Sequence, residues 1–193
     1  MSRLLPALFD PAVERAILAS YQAHDGQTRK GSGGAPYVTH PFHIALVLAR
    51  FGADATLLVA ALLHDAVEDC DDWTLARVEH EFGLAVRSIV DELTEDKNLT
   101  WEQRKAAWVE AVPTMSPEAV IVKSGDKLHN LHSLAADLES ATDKATIWAK
   151  FHGGREQTIA HSRALVSALA KRAPEALANE LLAAFERFER AAA

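Results

Sequence analysis

Helix start and stop signals recur along this chain, and no segment between them alternates apolar and polar residues with the period of two that a half-buried strand requires. Asp10-Pro11 supplies a side-chain cap and a first-turn proline, and Val13, Ile17, Leu18 and Tyr21 follow at helical spacing to about His24. Thr39 is placed to cap a second helix through His40, Pro41 and Ile44 to Phe51, with Gly52 as its stop. Asp54 caps a third, which continues through Val59-Ala60-Ala61-Leu62-Leu63 into His64-Asp65-Ala66-Val67-Glu68-Asp69. Thr74 starts a short helix that Gly83 closes, and residues 84–93 form another with Val86, Ile89, Val90 and Leu93 inward. Thr100 with Gln103 makes a capping box for Trp101 to Val112, which Pro113 ends. Ser116-Pro117 opens a long helix over 118–138, and helices over 143–151, 155–172 and 174–190 complete the set. The pattern predicts an all-α fold of about nine or ten helices, packed orthogonally or as an irregular bundle.

A chain of 193 residues with 49% apolar composition can bury a sizeable core. We expect a single domain over 1–193, with the chemistry in a core of about 12–140 and C-terminal helices over about 143–190. A net charge of -7 and a pI near 5.7 argue against a nucleic-acid partner, which needs a broad basic surface. Cys70 is the only cysteine, so no internal disulfide and no thiolate zinc site can form. The apolar run after Met1 is too short for a secretory signal, and no stretch spans a bilayer. The expectation is a soluble cytoplasmic protein with no membrane partner.

The third helix ends in four ionisable groups. On a continuous helix Glu68 lies one turn beyond His64 and Asp65, and Asp69 one turn beyond Asp65, so the four converge. Desolvating carboxylates beside an imidazole is unfavourable unless a cation neutralises them, which points to a divalent metal. The bland alternative is a solvated acidic helix end, continued by Asp71 and Asp72. Two other regions weigh against it: His40 opens the second helix, and Lys123-Ser124-Gly125-Asp126-Lys127-Leu128-His129-Asn130 places Asp126 and Asn130 on one face. His40, His64, Asp65 and Asp126 would give two imidazoles and two carboxylates, a donor set that suits manganese, iron, magnesium or zinc without choosing among them. Glu68 and Asp69 would then exchange protons with water or a leaving oxygen.

These residues carry a resemblance. Arg29-Lys30 with Pro36-Tyr37-x-x-His40-Pro41, then Leu62-Leu63-His64-Asp65-x-x-Glu68-Asp69, then Lys123-x-x-Asp126-Lys127-Leu128-His129-Asn130-Leu131, resemble the HD phosphohydrolase superfamily, and within it the alarmone hydrolases of the RelA/SpoT type. The likeness extends to Phe82-Gly83, to 93–97 and to Arg104-Lys105. It implies a single HD-domain fold and a manganese site of His40, His64, Asp65 and Asp126. It further implies catalytic Glu68 and Asp69, and a guanine nucleotide met by Arg29, Lys30 and Asn130. The implied reaction is hydrolysis of guanosine tetra- or pentaphosphate to GDP or GTP and pyrophosphate. Ser124-Gly125, Trp101 and the Ala160-His161 region depart from the pattern of relatives, which bears on base recognition. The alternatives are a hydrolase of another nucleotide, such as the 2′-phosphate of NADPH, or a non-catalytic alarmone-binding module. Self-association is left open by the sequence.

Other candidates read as structural. Gly31-Ser32-Gly33-Gly34 follows no strand and lacks the Walker pattern, so it is a flexible turn. His129 is offset from the Asp126 face; His24, His80, His152 and His161 have no ligand partners at helical spacing. Trp101, Trp108 and Trp148 read as core or interface aromatics.

Overall fold

A computed structural model of the chain describes residues 9–29 and 32–193. Among the described residues eleven α-helices run in order: α1 Pro11–Ala23, α2 Thr39–Arg50, α3 Ala55–Leu63, α4 Ala66–Asp69, α5 Leu75–Phe82, α6 Leu84–Leu93, α7 Trp101–Ala111, α8 Pro117–Ser140, α9 Lys144–Trp148, α10 Gly154–Ala170 and α11 Glu175–Ala192. A short 3-10 turn over Ser32–Gly34 lies in the glycine loop, and no strand occurs among the described residues. The fold is all-α, as the helix punctuation predicts, and no described helix is long and apolar enough to cross a membrane.

Most predicted caps form. Asp10, Asp54, Thr74 and Ser116 accept backbone N–H groups of the first turn, and Thr100 with Gln103 closes both halves of a capping box. Thr39 does not cap α2. Its hydroxyl donates to the Pro36 carbonyl at 2.8 Å, and Val38 occupies the cap position with no side-chain bond. The larger correction is at the third predicted helix, which is not continuous. α3 stops at Leu63, and Asp65 takes φ -95° and ψ -10° before α4 begins. This break supplies the eleventh helix. The segment expected over 143–151 is also shorter, only Lys144–Trp148.

The chain forms two compact units: residues up to Gln27 with Pro36–Thr94, and Thr28–Ala35 with Glu95–Ala193. In the first, α3 is apolar on every side, and Val59, Ala60, Ala61, Leu62 and Leu63 are all buried. A helix with no polar face must be surrounded, and α1, α2 and α6 surround it. Ala16, Ile44, Leu48 and Val90 contribute fully buried side chains from those neighbours. In the second unit α8 packs along α11, burying Leu131 and Leu138 from one and Leu177, Leu181 and Phe188 from the other. α10 adds Leu165, Val166 and Leu169. Each fully buried side chain of this kind stabilises by roughly 1.5–3 kcal/mol relative to exposure.

Candidate functional site

In the first unit, His40 at the start of α2 and His64-Asp65 at the α3–α4 break converge. Consecutive residues of a regular helix point about 100° apart and do not face each other. His64 and Asp65 keep right-handed helical backbone angles, yet their side-chain tips meet. His64 Nε2 comes within 3.1 Å of Asp65 Oδ1, and His40 Nε2 within 3.5 Å of Asp65 Oδ2. One donor atom from each of the three lies within 4.8 Å of the others. The imidazoles are buried, 5.4 Å apart between ring centroids, while Asp65 keeps some exposure.

Whether this set fits a metal ion is decided by its protons. His64 Nδ1 lies 2.8 Å from the Ala61 carbonyl, which can only accept, so Nδ1 carries the hydrogen and the neutral ring's lone pair is at Nε2. Nε2 is buried and makes no hydrogen bond among the described residues. A lone pair facing a carboxylate oxygen at 3.1 Å is repulsive unless a proton or a metal cation lies between them. The three residues therefore fit a cation, and the Nδ1–carbonyl bond is the usual outer support of a metal-bound histidine.

Tyr37, to which sequence reasoning assigned no role of its own, reaches this cluster. Its hydroxyl donates to Asp65 Oδ2 at 2.5 Å, and its ring packs against His24 at 4.8 Å and edge-on to His40 at 5.8 Å. His24 is buried and shares a hydrogen bond with Gln27 Oε1 at 2.9 Å, while Gln27 Nε2 donates to the Asp69 carbonyl at 3.1 Å. His24 thus lies behind Tyr37, whose hydroxyl meets Asp65. Glu68 is half-buried in α4 and Asp69 is exposed; neither belongs to the three-residue cluster. Asp69 lines a polar recess of about 430 Å³ with Gln22, Gln27, Cys70, Asp72 and Arg77.

The second unit holds Arg29, Asp126 and Asn130. Asp126 is buried on α8, and Asn130, one turn on, donates to its Oδ1 at 2.6 Å. Arg29, 101 residues away in sequence, donates to Asn130 Oδ1 at 3.0 Å. Lys30 lies outside the described residues. Lys123 approaches Asp126 Oδ2 at 3.2 Å, an (i, i+3) pair that the helical spacing could have revealed. Burial pushes the Lys127 ammonium down to about 8, although Asp126 pulls the other way, and Lys127 donates to Ser162 Oγ at 2.8 Å. Trp101 stacks on His152 with centroids 5.4 Å apart.

Comparison with known proteins follows the same lines. A family model described as an HD domain matches residues 16–159. The chain is 45% identical over 124 residues to a mouse (Mus musculus) protein named guanosine-3′,5′-bis(diphosphate) 3′-pyrophosphohydrolase MESH1, the match covering 63% of this chain and 68% of that one. Its human (Homo sapiens) counterpart is 47% identical over 113 residues, covering 58% of this chain and 63% of the relative. A solved structure described as a metazoan ortholog of SpoT that hydrolyses ppGpp superposes with a TM-score of 0.81 at 29% identity, covering 94% of this chain and 98% of that one.

Proposed function

The chain belongs to the HD-domain family, and from that premise we propose that it is a metal-dependent hydrolase that removes pyrophosphate from the 3′ position of guanosine tetra- or pentaphosphate. The observation that carries the reading is the buried His64 Nε2, its lone pair set against Asp65 and lacking any hydrogen bond among the described residues. The names of the mouse and human relatives support the substrate. His40, His64 and Asp65 would hold the ion; the motif that carries the family resemblance assigns Asp126 as a fourth donor, and the proposal keeps that assignment. Manganese is the ion we propose, on the same resemblance. A divalent ion at such a site polarises a phosphoryl oxygen and lowers the pKa of water.

The chain's own groups do the rest. The Ala61 carbonyl fixes the His64 tautomer, and Tyr37 fixes the rotation of the Asp65 carboxylate. In the proposed reaction, the bond between the ribose 3′ oxygen and its phosphorus breaks while water forms a new bond to that phosphorus. Water loses a proton and the 3′ oxygen gains one. Glu68 and Asp69 are the proposed carriers of these protons, since both are acids that follow the Asp65 ligand within one turn of α4. Arg29 and Asn130 already form a donor-rich pair suited to a phosphorylated ribose, and Lys30 is assigned to the nucleotide from the motif alone.

The test is hydrolysis of guanosine tetraphosphate by purified protein in manganese, following GDP and pyrophosphate together, with chelator and Asp65→Ala controls. Equal release of both products, abolished by either control, is the expected result. No release from metal-loaded protein would retire the alarmone substrate; phosphate release from NADPH in the same assay would redirect the reading to a 2′-phosphatase, and tight guanosine tetraphosphate binding without turnover to a sensor.

A further inference from the structure

We propose that Lys123 and Trp108 are positioning residues for Asp126: the Lys123 ammonium, held against the Trp108 ring, fixes the orientation of the carboxylate assigned to the metal. The inference rests on the metal-dependent reading above. Asp126 is only 8% exposed, and both of its oxygens are engaged, Oδ1 by Asn130 Nδ2 at 2.6 Å and Oδ2 by Lys123 Nζ at 3.2 Å. The Asn130 amide cannot be reversed, because its oxygen accepts from Arg29; a flip would set donor against donor there and acceptor against carboxylate at Asp126. The second arm is longer. Lys123 Nζ sits 3.6 Å from the centroid of Trp108, a cation–π contact at a side chain only 12% exposed. Trp108 is itself buried, and its Nε1 donates to Glu95 Oε1 at 2.5 Å. Glu95 is clamped in turn, Lys105 Nζ lying 2.6 Å from Oε1 and Arg104 Nε 2.8 Å from Oε2.

A lysine tip ordinarily reaches for water and keeps its rotamer freedom. Here the tip is withdrawn and confined between a π face and a carboxylate, and every group that confines it is fixed by the next. The run of contacts ends on Asp126. A carboxylate gripped at both oxygens has one rotation about its Cβ–Cγ bond, so its remaining lone pairs share one defined direction. Outer partners of metal ligands typically contribute about 10–100-fold in metal affinity. Lys123 also exerts an opposite effect, since its positive charge repels a cation. The two effects predict opposite signs for removing it, which makes the proposal decidable.

The experiment titrates Mn²⁺ alone into the full chain, reading bound ion from the loss of the free-ion paramagnetic resonance signal, for wild type, Lys123→Met, Lys123→Arg and Trp108→Leu. Helicity and melting temperature are recorded for each. Orientation predicts that Lys123→Met weakens Mn²⁺ binding by about 10–100-fold and lowers kcat more than it changes KM. Lys123→Arg, which keeps the charge and stacks on the ring, should recover most of the loss. Trp108→Leu should shift affinity in the same direction as Lys123→Met, and it carries the test should Lys123→Met not fold. Mn²⁺ binding equal to or tighter than wild type in either folded variant overturns the proposal. A wild-type chain that binds no Mn²⁺ overturns the metal-dependent reading itself, a separate and distinguishable result.

Discussion

Tyr37 donates to the carboxylate of Asp65 across 28 residues of sequence, and its loss is the most informative single change at the residue scale. A hydrogen bond to a charged group contributes about 1.5–3 kcal/mol, so Tyr37→Phe should weaken metal affinity by roughly tenfold or more while leaving the helices intact; calorimetric titration with Mn²⁺ reads the effect, and unchanged affinity would remove Tyr37 from the site. The two kinds of acid should separate in the same assay. Asp65→Ala is expected to lose metal and turnover together, whereas Glu68→Gln should keep the metal and lose turnover, because in the proposed reaction one supplies a donor atom and the other a proton. Full activity in Glu68→Gln would refute its role. His40, His64 and Asp65, which the fold brings together, stood out in the sequence because their spacing and order form a recognisable pattern. Tyr37 was quoted within that pattern without a role, since a bond from a loop to a helix break leaves no local periodicity to read.

Among the elements, the interruption between α3 and α4 matters most. His64 and Asp65 keep right-handed helical backbone angles across it, and their side chains meet at 3.1 Å just where the helix is interrupted. The apolar run through Leu63 and the acidic end were both plain in the sequence, but nothing in residue type marks a break at 64–65. A second feature of this kind joins α7 to the start of α10. A Cβ on Gly153 would lie 2.4 Å from Cη2 of Trp101, whose ring is stacked on His152. Gly153→Ala should therefore lower stability by about 1–3 kcal/mol, seen as a lower urea midpoint. Adding Trp101→Ala should relieve part of that loss; strict additivity in the double-mutant cycle would rule out the clash as its cause.

For the molecule as a whole, the two compact units divide the motifs between them: His40, His64 and Asp65 belong to the first, and Asp126 and Asn130 to the second, which also takes in the Arg29 segment. Stability should carry a pH signature from the second unit. Burial, reinforced by Lys127, Lys105 and Lys123, pushes His161 down from 6.5 to about 4. Between those values the unfolded chain binds a proton that the folded chain refuses, so this contribution is complete above pH 6.5 and is lost as pH falls toward 4. Urea midpoints of wild type should fall more steeply than those of His161→Gln across that window, and parallel curves would contradict the assignment. The sequence by itself determined the all-α class and most helix limits, because capping, proline and apolar spacing act within a few residues of one another. Only the tertiary structure decided the approach of His40 to Asp65, the hold of Tyr37 on Asp65 and the Glu95–Trp108–Lys123 support behind Asp126. Those depend on packing between segments distant in the chain, where van der Waals fit and desolvation outweigh local preference.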